Sequence, residues 1–548
     1  MTPARGLLVA LCIALILFGI IIRFVNLDRK FYTNDEATAS LHVAGYTIAE
    51  YAAAVYDGRV RTVEELLAFQ RAGRGTTSAD VIRSLASEDP QHPPLFYLAE
   101  RAWTERVGSS VAARRALSAA FGTLAIAAIA WLGFELFGSA TVALACAALV
   151  AVSPFHVLYA QQTREYALWT LSLATASALL LAAMRTGSPF LWAAYSAALA
   201  LGLYADAFVL ETVVAHAIYV AAVRPARAKL LGYAAATLAA LLAFGPWLGA
   251  LWAASRTGTL TNNTFLGAAL PAKVFALKWL FNAGAVFFDL DYRWHAAAIL
   301  VVPLLGLAAA AVVALLRRGA LRQWAFVATS GAVATLVLLV PDLLRHESRS
   351  TSARYLVPLW VVMELAVGWY VAGWLARPGW RRTAGLAASA GLAAAGVISC
   401  AVASDRVTWW GDASVASLVP IYRTLAATPG ALVAYRATWT PQGARGERWD
   451  FGVVQLADEL PPGVRFRQYP KGAAALSLIA PGTTFVLDPT DALVRELAAA
   501  GRPLVPSTAT KAAAVDAVSA LQQETRRARA ASGVLDFQAS LWRPRRPI

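Results

Sequence analysis

Leu7 to Val25 form the apolar run LLVALCIALILFGIIIRFV, and a few residues later the chain reads Tyr32-Thr33-Asn34-Asp35-Glu36-Ala37. The run is long enough to cross about 30 Å of hydrocarbon as a helix. It is longer than the apolar part of a signal peptide and has no small-x-small site before Arg29-Lys30, so it reads as a retained anchor. Two adjacent carboxylates at the edge of a membrane span, followed by a long polar and amphipathic stretch before the next span, are expected to be a chemical centre on which later loops converge.

Composition sets the class. Of 548 residues 58% are hydrophobic and 15% charged, the balance of a polytopic membrane protein. The formal charge of +15, from 48 Lys and Arg against 33 Asp and Glu, would suggest nucleic acid in a soluble chain. Here much of the Arg lies in short gaps between apolar runs, where topology and anionic membrane lipid account for it, and no nucleic-acid partner is expected. Cys12, Cys146 and Cys400 lie in or beside apolar runs, so neither a disulfide framework nor a thiolate metal site is indicated.

Apolar windows long enough to span fall near 7–25, 115–137, 138–154, 166–184, 189–206, 207–224, 229–252, 296–316, 323–341, 353–375 and 382–402. With these eleven spans, or thirteen if a pair is added, the basic gaps Arg185, Arg224/Arg227/Lys229, Arg317/Arg318/Arg322 and Arg377/Arg381/Arg382 share one side, as cytoplasmic loops should. The patch Val274 to Leu290, with Lys278, Asn282 and Asp289, reads as a further span or an interfacial helix. The opposite face receives Leu27 to Arg115, Ser153 to Glu165, Ala254 to His295, Pro341 to Ser352 and the carboxyl-terminal segment.

That outer face collects Asp35-Glu36, His92, Arg114-Arg115, Arg164-Glu165-Tyr166, Asp206 and Arg354-Tyr355. Arginines placed against the positive-inside bias point to a bound anion. Asp35 could take a proton from a nucleophile, while Glu36, on another helical face, would hold backbone, a metal or an Arg. Both could instead simply favour a helix N-terminus. His92 is a turn histidine, a partner of a carboxylate, or a ligand to a divalent cation with Asp35, Glu36 or Glu88. Arg114-Arg115 could snorkel to headgroups or grip a phosphate. Glu211 and His216 lie inside the sixth window, where pairing with a neighbouring helix competes with function.

In the first outer loop, residues 35–59 read as one helix, Thr62 to Arg71 as a second opened by the capping box Thr62-x-x-Glu65, Ser78 to Leu85 as a third, and Pro94 starts a helix toward Trp103.

Asn34-Asp35-Glu36-Ala37, Gln91-His92-Pro93-Pro94-Leu95-Phe96-Tyr97, Arg115 ahead of Leu117-Ser118 and Phe121-Gly122, Gln162 to Leu168, and Arg354-Tyr355-Leu356-Val357-Pro358 together resemble the GT-C fold glycosyltransferases. The likeness is to the protein mannosyltransferase-like branch that includes bacterial aminoarabinose transferases, over about residues 1–400. It implies a polyprenyl-phosphate-linked sugar as donor, transfer to a lipid or protein acceptor on the outer face of the bacterial cytoplasmic membrane, and inversion at the sugar. It also implies Asp35 as the catalytic carboxylate, Arg115, Arg164 and Arg354 on the lipid phosphate, and Tyr166 and Tyr355 beside them. Glu36 joins Asp35 as a second catalytic candidate, and His92, Arg114 and Asp206 are supporting candidates. A divalent metal on Glu36 and His92 is one candidate cofactor. Relatives commonly carry histidine in the Leu203-Tyr204-Ala205-Asp206 region, a departure that puts an inherited role for Asp206 in doubt.

The expected organisation is an all-α polytopic unit over 1–402, including a first outer loop over 26–114, and a small extramembrane α/β domain over 403–548 facing the periplasm. In the latter, Ser414 to Leu425 and Pro489 to Ala499 read as helices, and Ala431 to Tyr435 and Thr484 to Leu487 as strands. Residues 254–295 could form a lid, with Asp289 and Asp291 as possible acceptor contacts and a weak sequon at Asn262-Asn263-Thr264; the tail with Arg527, Arg529, Arg543, Arg545 and Arg546 reads as a solvated face. A lipid-linked-sugar flippase, or a ligase of the O-antigen type, would use similar phosphate contacts. A transporter would favour internal repeats and midspan ionisable groups, and no repeat is found.

Overall fold

The computed structural model describes residues 3–73, 75–257, 269–290, 294–408, 413–436, 452–470, 473–479, 482–487, 489, 491–507 and 540–544. Residues 258–268, with the sequon, and Asp291, Arg527, Arg529, Arg545 and Arg546 lie outside the described residues.

Each apolar window is a helix. Eight described helices are long and apolar enough to cross a membrane: Gly6–Phe24, Val111–Phe137, Tyr166–Thr186, Arg227–Thr257, Ile299–Arg318, Leu321–Arg345, Ala353–Leu375 and Trp380–Asp405. Ala140–Ala151 and Pro154–Ala160 form a pair bent by 61°, and Pro189–Ala205 and Val209–Val223 are shorter apolar helices. Tyr166–Thr186 and Ala353–Leu375 have windows 83% and 72% buried and form the centre of the bundle, whereas Arg227–Thr257 is 22% buried. The outer helices present Leu242, Ile299 and Leu344 to the surroundings, as lipid-facing helices do. The protein is a helical, polytopic membrane protein carrying a small mixed sheet.

The bent pair shows how local chemistry shapes the bundle. Pro154 has no N–H, and the Phe155 N–H turns to the Ala285 carbonyl at 3.2 Å, which frees carbonyls in the preceding turn. Arg23, itself fully buried, takes them: its guanidinium donates to Ala151 O at 2.7 Å and Val150 O at 3.0 Å. Gly19 lets the first helix approach this turn, because a Cβ there would lie 2.3 Å from Ala151 O.

Between the first two long helices, the expected single helix over 35–59 is two, Asn34–Val43 and Ile48–Val55. Gly45, at φ +88°, turns the chain left-handed, and Thr47 with Glu50 opens a new capping box. The Thr62–Glu65 box is present, but its helix, Val63–Leu67, passes into a 3-10 turn at Ala68–Gln70. Ser78–Glu88 and Leu95–Val107 complete the loop. Within the patch read as a further span or interfacial helix, Ala272–Gly284 is helical over 13 residues, about 20 Å at 1.5 Å per residue and short of the hydrocarbon thickness.

The sheet has six described strands: β1 Val60–Thr62, β2 Leu432–Arg436, β3 Arg465–Tyr469, β4 Phe485–Leu487, β5 Leu504–Pro506 and β6 Leu541–Pro544, in the order β1-β3-β2-β4-β6-β5. Its centre is parallel. At one edge β1, which belongs to the first outer loop, pairs antiparallel with β3, Arg61 facing Phe466. Phe31, Tyr32, Leu41, Val55 and Leu66 of that loop pack in one core with Val415, Ile421, Val433, Val453 and Phe466. The loop and the carboxyl-terminal segment are therefore built as one body over the ends of the helices.

Candidate active site

Asp35 and Glu36 sit in the first turn of Asn34–Val43. Glu36 closes a capping box with Thr33, accepting the Thr33 N–H at 2.9 Å while its own N–H reaches Thr33 Oγ1 at 3.2 Å. Successive residues on a helix point about 100° apart, so the two carboxylates diverge.

Glu36 turns inward and is fully buried. Arg115 grips it with two parallel bonds, Nε to Oε1 and Nη2 to Oε2, both 2.8 Å, and the Thr163 N–H adds a third contact at 3.0 Å. Burial would raise the Glu36 pKa, but Arg115 outweighs it and holds the carboxyl below its usual range. The other Arg115 amino group donates to Leu27 O and Lys30 O at 2.7 Å each. Arg115 thus ties the end of the first membrane helix to the start of Asn34–Val43. All its nitrogens meet protein acceptors, where the sequence reading expected a grip on the lipid phosphate. Arg114 is committed likewise, to Tyr32 Oη at 2.8 Å, Ser40 Oγ at 2.7 Å, Ser109 O at 3.0 Å and an ion pair with Asp458.

Asp35 turns the other way, into an ion pair with Arg354, and its side chain stays 35% exposed against 23% for Arg354. Burial pushes its pKa up, but the Arg354 and Arg164 guanidinium groups prevail and hold the carboxyl below the ordinary aspartate value. Arg164 reaches the Asp35 carbonyl at 3.3 Å and Glu165 Oε1 at 2.9 Å. The same Glu165 oxygen meets His92 Nδ1 at 2.9 Å. Burial would raise the Glu165 pKa, but Arg164 and then His92 hold it low, near 2. For His92, burial lowers the pKa and Asp89 leads the carboxylates that bring it above the usual histidine value.

Tyr166 and Tyr355 line the cationic side: the Arg354 guanidinium lies 5.9 Å from the Tyr166 ring and 5.2 Å from the Tyr355 ring, and Arg164 lies 5.9 Å from Tyr166. Asp206 is buried and accepts the Phe208 N–H at 2.8 Å where one short helix hands over to the next. Burial first, then the Glu165 charge, pushes its pKa up to about 7.

The structure thus brings Asp35, Arg164, Arg354, Tyr166, Tyr355 and His92 around one partly open spot, and sets Glu36, Arg114 and Arg115 behind it. Glu36 and His92, the metal candidates, take different partners, and among the described residues no group of three or more His, Cys, Asp or Glu is placed to hold a metal ion. Glu165 did not figure among the candidates, although its position between Arg164 and Tyr166 marks it as a counter-ion for a buried arginine.

No family model matches the sequence, and no curated protein matches it. Solved structures do. ArnT from Cupriavidus metallidurans bound to undecaprenyl phosphate superposes with a TM-score of 0.54 at 11% identity, covering 97% of each chain. The apo ArnT structure gives 0.53 at 13% identity, covering 89% of this chain and 94% of that one. The fold is thus of the GT-C type expected from the sequence, shared with ArnT over nearly the whole chain.

Proposed function

We propose that the protein is a glycosyltransferase that moves a sugar from a polyprenyl-phosphate donor to a lipid or protein acceptor. The observation that carries this reading is Asp35, a partly exposed carboxylate paired with Arg354 and with Arg164 on its backbone carbonyl, on a membrane-embedded bundle. The undecaprenyl phosphate bound to the similarly folded ArnT supports the donor class.

The chemistry follows from the charges. An acceptor hydroxyl or amine attacks the anomeric carbon, the bond from that carbon to the phosphate oxygen breaks, and the lipid phosphate leaves as a monoester anion. Asp35 takes the proton of the nucleophile. Arg354 balances the charge gathering on the phosphate, and Arg164, buried and paired with Glu165, adds positive charge from behind. Arg354 is paired with Asp35; a phosphate that draws Arg354 to itself would leave Asp35 able to act on the acceptor. Single displacement inverts the anomeric centre. Asp35 is paired with Arg354 and both Glu36 oxygens are taken, and no step is routed through a metal ion.

The site faces the periplasm in this reading, in a bacterial cytoplasmic membrane. Arg164 and Arg354 precede the helices Tyr166–Thr186 and Val357–Leu375, whose opposite ends carry Arg185 and lead to Arg377. The basic, cytoplasm-seeking ends are therefore remote from Asp35. Incubating membranes with polyprenyl-phosphate sugars and analysing glycolipids and glycoproteins by mass spectrometry tests the function. A native protein that transfers no sugar from any such donor overturns it.

A further inference from the structure

The stretch before Asp35 is held by residues from the far end of the chain. The Phe31 N–H donates to Val407 O at 2.8 Å. Both sides of Tyr32 are gripped by one helix of the carboxyl-terminal segment, Gly452–Glu459: the Tyr32 N–H donates to Glu459 Oε1 at 2.9 Å, and Gln455 Nε2 donates to Tyr32 O at 3.0 Å. Asp458 of the same helix pairs with Arg114, which in turn holds Tyr32 Oη and Ser40 Oγ, and so reaches the Asp35 helix at a second point. Gln70 Nε2 fastens the helix to the loop again through Val454 O at 2.9 Å. Gln455 is 2% exposed and the Asp458 side chain 3%, so these bonds are sheltered from water.

We propose that Gln455, Asp458 and Glu459 are positioning residues that fix the turn Phe31–Thr33 and thereby set Asp35 against Arg354 and Arg164. The inference rests on the glycosyltransferase reading for the chemistry it serves. Arg164 and Arg354 come from other parts of the bundle and touch none of these three side chains in the bonds above. Loosening the helix should therefore misplace the base while leaving the phosphate contacts in place, and displacements of about 1 Å at a reacting group can cost up to ~100-fold in rate.

The test uses the full chain in nanodiscs, comparing wild type with Gln455→Met, which keeps the volume, and with the Gln455→Ala/Glu459→Ala double variant. Three readouts are taken: hydrogen exchange at Phe31 to Glu36, kcat for sugar transfer, and affinity for undecaprenyl phosphate. We expect exchange at Phe31 to Glu36 to rise about tenfold in the double variant. We expect kcat to fall about tenfold, with undecaprenyl-phosphate affinity within about twofold of wild type; Gln455→Met shifts exchange and kcat in the same directions by less. Unchanged exchange overturns the proposal, as does raised exchange with unchanged kcat, or a kcat loss matched by an equal loss of donor affinity and a lower melting temperature. Native protein that binds no undecaprenyl phosphate overturns the donor assignment instead, and the exchange readout still decides whether the helix holds the turn.

Discussion

Asp35 and Glu36 are neighbours in the chain, yet the two sides of their helix turn are built for opposite purposes. Behind Glu36, Arg114 and Arg115 have side chains 2% and 1% exposed, and every guanidinium nitrogen of each has a partner within the protein. In front, Asp35 and Arg354 pair directly with each other and keep 35% and 23% of their side chains open. The same residue types thus form a sealed pair on one side and a partly open pair on the other. Burial makes the difference: a sealed carboxylate–guanidinium pair resists separation because each charge would be left unpaired in a poor solvent, whereas a partly open pair can exchange its partner.

The comparison is broken most decisively on the open side. Asp35→Asn should lower sugar transfer about 10²- to 10⁴-fold, the range for loss of a general base, at an unchanged melting temperature. It should also bind undecaprenyl phosphate more tightly, because Arg354 no longer has a competing carboxylate; weaker binding would refute the competition. On the sealed side, Arg115→Ala should leave Glu36 buried and unpaired, at a cost of about 3–5 kcal/mol in stability. Yield and melting in detergent check this, and a well-folded Arg115→Ala protein with weakened donor binding would restore Arg115 as a phosphate ligand.

Arg354→Gln should reduce transfer about 100-fold through lost charge stabilisation, and it also tests the pH behaviour. Arg354 holds the Asp35 pKa below its ordinary value. The carboxylate therefore stays ionised as pH falls until that lowered value is reached, and the acidic limb of the rate profile lies at low pH. Removing the cation raises the pKa, so the variant should begin losing activity at higher pH, and coincident limbs would count against Asp35 as the titrating base. The smallest effect is expected from His92→Ala, about three- to tenfold in transfer. It removes one hydrogen bond to Glu165, worth about 1 kcal/mol, while Arg164 keeps its own bond to Glu165.

Much of this architecture was legible in the residues. The apolar windows located every long helix, because a helix in lipid must be apolar over its whole crossing length. The charge asymmetry of the gaps put Asp35, Arg164 and Arg354 on one side. Less was visible where the partner is remote in sequence. Val60–Thr62 is too short to announce itself as a strand, and it pairs with residues 465–467. Residues 35–59 looked like one helix because their apolar spacing is nearly continuous, and the left-handed Gly45 and the Thr47 cap end it.

By itself the sequence determined the class of the protein and the candidates for its chemistry, since hydropathy, capping boxes and charge placement are local properties. It also settled that two adjacent carboxylates on a helix cannot point the same way. Which one faces inward was decided only by the tertiary structure, where Arg115 and the Thr163 N–H close over Glu36 while Arg354 meets Asp35. Likewise the sequence supplied the arginines, but which have donors left for a ligand depends on carbonyls and carboxylates tens to hundreds of residues away. Burial and partner choice are properties of the packed molecule, and they separate the partly exposed Asp35 from the sealed Glu36.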